Sequence, residues 1–231
     1  MNRHCLITGA NRGIGLALTR ALLARGDRVI ATCRHPGKAT ALNHLTGDYP
    51  GHLHVLPLEV DKARSRAELV RELPLVAPHL DLLINNAGVL HSGERFGTVA
   101  EEALEDSLRV NTVGPFLLVQ ALAAAMADGG VVANISSVLG SVASCTRFGT
   151  PTYSISKAAQ NMATVQLAHA LRPRGIRVVA LHPGWVKTDM GGDGAEVAPD
   201  DSAAGLVRVI DGLGPDDTGV YLDWQGQALP W

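Results

Sequence analysis

Tyr153 and Lys157, four positions apart, are the pair in this sequence best suited to moving a proton. On a helix, side chains at i and i+4 share one face. A free phenol, with a pKa of about 10, is a poor base near neutrality. An ammonium beside it favours the phenolate and lowers that value. So arranged, the pair gives a proton to a carbonyl oxygen or takes one from an alcohol. Tyr-x-x-x-Lys by itself is a common surface-helix pattern, so its neighbours decide its meaning. Two adjacent serines, Ser136 and Ser137, close the run Asn134-Ile135-Ser136-Ser137. A hydroxyl at the end of a strand could hold a substrate oxygen. Side chains alternate along a strand, so one serine faces the sheet, and pattern alone leaves open which.

A second candidate is the segment Thr8-Gly9-Ala10-Asn11-Arg12-Gly13-Ile14-Gly15, between an apolar run and a helical pattern. Glycines allow a tight turn and let backbone N–H groups approach a pyrophosphate. The following helix N-terminus adds free donors and partial positive charge. The spacing is T-G-x-x-x-G-x-G, not the commoner G-x-G-x-x-G, but the strand–turn–helix setting supports a dinucleotide site. An NAD(H) site usually carries an acidic residue after the second strand. Here that strand ends in Arg34. A guanidinium grips a 2′-phosphate, and a carboxylate would repel it. Arg12 offers a second positive charge. The expected cofactor is therefore NADP(H) rather than NAD(H). The alternative for Arg34 is a solvated charge at a strand end.

These residues need a scaffold. Strands are expected at His4–Thr8, Arg28–Cys33, Leu53–Leu58, Leu80–Asn85, Val131–Ser136, Arg177–His182 and Gly219–Asp223. Most are short apolar runs without polar alternation, as in a parallel sheet covered on both faces. Helices are expected at Gly13–Ala24, Lys62–Leu73, Glu101–Ala127, Tyr153–Leu171 and Asp201–Asp211. Repeated βα units imply an α/β fold: a single Rossmann-type domain, residues 1–231, with a doubly wound parallel sheet of about seven strands and helices on both faces. The glycine-rich stretch Gly191–Asp201 is either a lid or an ordinary surface loop.

Composition narrows the function classes. The 231 residues are 46% hydrophobic and carry a formal net charge of −2, enough for one sizeable core and without a basic footprint for nucleic acid. No charged segment leads into a signal-type apolar run at the start. The greasiest stretch, Phe116–Ala127, is short for a bilayer and contains Gln120. Sparse cysteines at positions 5, 33 and 145 suggest reduced thiols and a cytoplasmic location. The nine histidines, His4, His35, His44, His52, His54 and His79 among them, complete no zinc spacing, so no metal site is expected. Trp185 either packs in the core or faces substrate, and Cys145 is expected to be a plain packed thiol.

The glycine loop, Asn85-Asn86-Ala87-Gly88, Asn111, Ser137, Tyr153/Lys157 and Pro183-Gly184 occur in the order seen in short-chain dehydrogenases/reductases. The chain resembles that family over essentially its whole length. Ala31-Thr32-Cys33-Arg34, His182 to Val186, Thr188 to Gly192 and the ending Leu229-Pro230-Trp231 resemble its C-factor/sniffer-like group of carbonyl reductases. The resemblance implies that Gly9, Asn11, Arg12, Gly13, Ile14 and Gly15 line the pyrophosphate and adenosine site. It puts Arg34 at the 2′-phosphate and Glu59 and Val60 beside the adenine, with Glu59 replacing the usual Asp. Asn86, Ala87 and Gly88 would flank the nicotinamide riboside, and Pro183, Gly184, Val186 and Thr188 would seat the nicotinamide. It implies a catalytic set in which Asn111 kinks its helix and holds a relay water, Ser137 orients the carbonyl, Tyr153 donates the proton and Lys157 grips the ribose. Ser137 and Tyr153 are separated by sixteen positions, a few more than in many members. The extra residues are expected to shape a pocket bounded by residues 89–97, 138–152 and 185–200. Val138, Leu139, Phe148, Trp185 and Met190 favour an apolar or aromatic carbonyl compound, although Arg147 could meet a carboxylate. The implied reaction is hydride transfer between nicotinamide and a carbonyl or alcohol, without membrane or nucleic-acid partners. A homodimer is expected. The rival is an NADP(H)-binding signalling protein of C-factor type with little turnover.

Overall fold

Cys5, Leu6 and Ile7 are each fully buried, yet they serve two different cores. Cys5 and Ile7 point to one face of strand β1 (His4–Thr8), and Leu6 points to the other. A strand flanked by helices on both sides needs apolar residues at every position, hence the absence of polar alternation. The computed structural model describes residues 2–231.

Seven parallel strands form one sheet in the order β3-β2-β1-β4-β5-β6-β7. They are β1, β2 (Arg28–Cys33), β3 (Leu53–Pro57), β4 (Leu80–Asn85), β5 (Met126–Ile135), β6 (Arg177–His182) and β7 (Tyr221–Asp223). Helices α1 (Gly13–Ala24), α2 (Thr40–Asp48) and α7 (Pro199–Gly212) supply the core on the Cys5 face, through Leu18, Leu22, Leu42, Leu206 and Ile210. Helices α3 (Ala63–Glu72), α5 (Gly114–Leu122) and α6 (Pro151–Leu171) cover the Leu6 face, through Leu69, Leu118, Leu122, Leu167 and Leu171. The strand order reverses between β1 and β4. Crevices at such switch points, at the carboxyl ends of the strands, are where open α/β sheets bind ligands.

Four strands have the boundaries the sequence predicts, β3 ends one residue early and β7 begins two residues late; three larger differences have physical reasons. Helix α2 buries only Leu42 and contains Gly47, so it carries almost no amphipathic signal. The single helix expected over 101–127 is instead α4 (Glu101–Leu108), a π-turn (Arg109–Val113), α5 and a short 3-10 turn (Ala123–Ala125). Strand β5 starts at Met126, five residues early. Met126 is buried, but continuous burial begins only at Gly130, after a register shift opposite Leu80/Leu82 and a left-handed Gly129 (φ +75°). The helical stretch Glu101–Ala125 is long and apolar enough to cross a membrane by length and composition. Here Leu118, Val119 and Leu122 fill the core and Asn111 is fully buried.

Candidate active site

The glycine loop is held from below by β4. Asn86 donates its side-chain amide to the carbonyls of Thr8 (2.9 Å) and Gly9 (3.1 Å). The Thr8 hydroxyl accepts from the backbone N–H groups of Asn86 and Ala87, both at 3.0 Å. A Cβ on Gly15 would lie 2.3 Å from the Gly9 carbonyl oxygen and 2.5 Å from the Asn86 amide nitrogen. Only glycine fits there. Arg12 precedes α1 in extended conformation, makes no capping hydrogen bond, and no acidic residue occupies the first turn. The first N–H groups of α1 therefore face an anion-sized task that no side chain performs.

The expected cationic residues diverge. Arg34 is exposed at the end of β2 and forms no ion pair among the described residues, and Lys38 follows it in the turn Pro36–Lys38. Arg12 reaches across the crevice to Asp189 at 2.8 Å, an exposed pair worth little to stability. That pair joins the glycine loop to the segment after β6. There a Cβ on Gly13 would lie 3.1 Å from the Thr188 methyl. Glu59 is exposed and its N–H donates to the Ser65 hydroxyl (2.9 Å), while Val60 is buried behind Gly114.

Ser137, Tyr153 and Lys157 converge at the carboxyl edge of β5. Strand alternation settles the serine pair: the Ser136 hydroxyl turns inward and donates to Asn161 at 2.6 Å. The Ser137 hydroxyl shares a hydrogen bond with Tyr153 and accepts from the Leu139 N–H at 3.2 Å. Tyr153 stands in the first turn of α6, after Thr150, a non-glycine residue held at φ +40°. Lys157 is one turn further on, its ammonium 5.6 Å from the centre of the Tyr153 ring. The ammonium donates to the Ile135 carbonyl (2.7 Å) and to Gln160 (3.0 Å). Gly88 lies between Lys157 and Asn111, 3.9 Å and 3.2 Å from their side chains when a Cβ is added.

Protonation departs from the sequence expectation. Burial pushes the Tyr153 phenol up to about 12, only partly opposed by its bond with Ser137. Burial also drives Lys157 down to about 7, with no carboxylate to offset it. The lysine acts on the tyrosine less than expected because its ammonium is turned to the β5 backbone and Gln160. In the free protein the phenol is held in its neutral form.

Asn111 has no exposed surface and sits in the π-turn. Its amide pairs with the N–H (2.8 Å) and carbonyl (2.9 Å) of Val89 and donates to Ser156 at 2.9 Å. It thereby ties the segment after β4 to α6. On the far side, Pro183 accepts from Ser202 (2.6 Å), and left-handed Gly184 (φ +85°) packs on Trp224. Val186 is buried and bridges to Val197, and the Thr188 hydroxyl accepts from Gly191 at 3.1 Å. Trp185 lies on this segment rather than in the core. It is 56% exposed, its indole donates to the Gly191 carbonyl (2.8 Å), and Gly194 lies against its ring.

Several long-range contacts escape sequence reasoning. Tyr221 on β7 donates to the Ser137 carbonyl at 2.5 Å and stacks on Trp231, 5.2 Å between ring centres. Trp231 in turn accepts from the Ala143 N–H at 2.9 Å, inside the segment 138–152. Glu94 accepts from the Thr152 N–H at the start of α6, at 3.4 Å. Phe96 meets Phe148 edge-on at 5.8 Å, both exposed, joining segments 89–97 and 138–152. None of these has a local motif. Cys145 is exposed rather than packed.

Comparisons with known proteins agree with this geometry. A family model described as short chain dehydrogenase matches residues 3–197. The C-signal protein of Myxococcus xanthus is 42% identical over 154 residues, 66% of this chain and 93% of that protein. A 1-hydroxy-2-glutathionyl-2-methyl-3-butene dehydrogenase of a Rhodococcus species is 32% identical, covering 98% of each chain. Among solved structures, the NADPH-bound carbonyl reductase from chicken fatty liver superposes with a TM-score of 0.94 at 36% identity, covering 100% of this chain and 99% of that one. The carbonyl reductase Sniffer of Drosophila melanogaster gives 0.95 at 33% identity, covering 100% of both.

Proposed function

The chain belongs to the short-chain dehydrogenase/reductase family, and on that premise we propose that it reduces a carbonyl compound with NADPH, Tyr153 delivering the proton. The observation that carries this reading is the convergence of Ser137, Tyr153 and Lys157 beside the glycine loop.

The residues present fit a dinucleotide phosphate. The start of α1 has no capping side chain, and a Cβ at Gly15 would fill the loop's own packing space. Gly9, Asn11, Arg12, Gly13, Ile14 and Gly15 would hold the pyrophosphate end, and Arg34 the 2′-phosphate. Glu59 and Val60 would border the adenine, with Asn86, Ala87 and Gly88 along the riboside. Pro183, Gly184, Val186 and Thr188 would border the nicotinamide. When bound, NADPH supplies the hydride.

The protein's part is positional and electrostatic. Ser137 and Tyr153 donate hydrogen bonds to the substrate oxygen and favour charge developing on it. A phenol with its pKa near 12 stays protonated at neutral pH, ready to donate as that oxygen becomes basic. Lys157, beside the phenol and Gly88, holds the ribose and stabilises the phenolate left behind; Asn111 orders the backbone around both. Segments 89–97, 138–152 and 185–200 bound the substrate pocket within one catalytic unit spanning the chain. Exposed Phe96, Phe148, Leu139 and Met190 make it a site for an apolar or aromatic carbonyl. Relatives matching along the whole chain include a named dehydrogenase and named carbonyl reductases, which does not favour the signalling alternative. Val113, Ile155 and Met162 leave apolar surface outside the core, and we assign it to a second copy of the chain.

The test is NADPH oxidation across a panel of aldehydes and ketones. Tyr153→Phe should lower turnover about 100-fold or more while NADPH still binds. Equal turnover would remove Tyr153 from the chemistry.

A further inference from the structure

At the opposite end of the sheet from the glycine loop, the first residues of β1 and β4 bring two imidazoles and a carboxylate together. His4 opens β1, and His79 and Asp81 flank the start of β4. One ligand atom from each of the three lies within 4.8 Å of the others. We infer that His4, His79 and Asp81 form a binding site for a divalent transition-metal ion of the zinc, cobalt or nickel type.

Three observations converge. First, the spacing suits such an ion. His79 Nε2 lies 3.4 Å from one Asp81 oxygen, and His4 Nδ1 lies 3.8 Å from the other. A tetrahedral ion with ligands at about 2.1 Å has ligand–ligand edges of about 3.4 Å, so the triad, whose ligand atoms lie within 4.8 Å of one another, closes on an ion by side-chain shifts of about 1 Å. Second, His4 is 8% exposed, yet both of its ring nitrogens are buried without a hydrogen-bond partner. Buried polar atoms are nearly always satisfied, so an imidazole with two orphaned nitrogens calls for a ligand. Third, Asp81 is already oriented. One of its oxygens accepts from the His4 backbone N–H at 2.7 Å, as outer hydrogen bonds orient ligands in metal sites. A depression of about 270 Å³, lined by Arg3, Arg177, Asp128, Asp211 and Asp81 among others, adjoins the carboxylate.

Two imidazoles and one carboxylate favour borderline transition ions over magnesium or calcium, which prefer all-oxygen sites. The fourth position is left to water. Position argues for a staple rather than a catalyst. Thr8 lies four residue steps along β1 from His4, a rise of about 13 Å, so the ion stands clear of the proposed chemistry. It would clip β1 to β4, the strands that flank the switch point. The sequence gives no hint of this, because His4 and His79 belong to different βα units.

The test uses the tag-free protein, stripped with chelator and titrated with Co²⁺. Visible d–d absorption and the thermal midpoint are recorded for wild type, His79→Gln and the control His52→Gln. His79 is half exposed, so its replacement should leave the fold intact. The expected result is a tetrahedral Co²⁺ band and a midpoint rise of about 5–10 °C at a hundredfold excess over Kd in wild type and His52→Gln. In His79→Gln affinity should fall at least about tenfold, with NADPH oxidation by the metal-free protein unchanged. Wild type without band or midpoint shift overturns the inference. So does unchanged affinity in His79→Gln, or a thiolate charge-transfer band that would put the ion on a cysteine.

Discussion

Lys157 is an ammonium buried without a counter-charge, and replacing it should make the protein more stable in weak acid and less stable in base. Its pKa in the folded protein is about 7, against an ordinary 10.5. Below about pH 7 the group is charged in both states, and folding bears the whole cost of burying it. Between the two values the unfolded chain binds a proton that the folded chain does not, so stability rises with pH. The slope is about 1.4 kcal/mol per pH unit, and the full cost is on the order of 5 kcal/mol. Lys157→Met removes that cost and keeps the unbranched stem. It also strips the Ile135 carbonyl and Gln160 of their donor, at about 1–2 kcal/mol each. The variant should therefore be more stable than wild type by about 2 kcal/mol near pH 6.5. By about pH 9.5 the difference should have swung by roughly 3 kcal/mol in favour of wild type, reversing the order. Urea unfolding followed by far-ultraviolet circular dichroism at both pH values gives the two differences. Groups titrating alike in both proteins cancel. A difference that stays flat with pH would refute the claim that the ammonium is buried unpaired, whatever its sign. The same variant should have lost most of its activity, because the charge that costs stability is the one that serves the phenolate.

Arg34→Glu should weaken NADPH binding about 10- to 100-fold and NADH binding far less, measured by titration calorimetry; equal losses would put the 2′-phosphate elsewhere. Gly15→Ala drives a methyl into the Gly9 carbonyl, so it should cost about 1–3 kcal/mol of stability in urea and abolish detectable cofactor binding. Tyr221→Phe removes one of the two donors to the Ser137 carbonyl, leaving the Gly140 N–H at 2.8 Å, and should cost about 0.5–1.5 kcal/mol. Its turnover should fall more than its NADPH affinity, and an unchanged turnover would mean that Tyr221 does not position Ser137. Sedimentation of Met162→Glu should show a monomer where wild type is a dimer, since Met162 is 61% exposed on the surface assigned to the second copy.

The sheet was legible because burial on both faces demands uninterrupted apolar runs, and β1, β2, β4 and β6 have them. Elements that escaped are those in which side chains do not report the backbone. The π-turn at Arg109–Val113 inserts into a run whose composition stays helical, and Ala127-Asp128-Gly129-Gly130 looks like a turn although it lies within β5, bulging between the Met126 and Val131 pairings. In the site, Tyr153, Lys157 and Ser137 were visible because their spacing is local. Their protonation was not, since it depends on burial by distant elements. Tyr221 reaches Ser137 from 84 residues away, and Trp231 reaches Ala143 from the other end of the sheet's last crossover. Only the fold makes such pairs neighbours.

The indole of Trp185 makes the 185–200 segment self-reporting. Its Nε1 is tied to Gly191 within the segment while more than half of its surface meets water. The other two tryptophans are engaged elsewhere, Trp224 against Gly184 and Gly205 and Trp231 on Tyr221. Closure of the segment over a ligand would take water away from one fluorophore and leave the other two as an internal reference. A blue shift in emission, followed by stopped flow, would then time the movement of the loop in the unlabelled protein and separate it from the hydride step seen in NADPH absorbance.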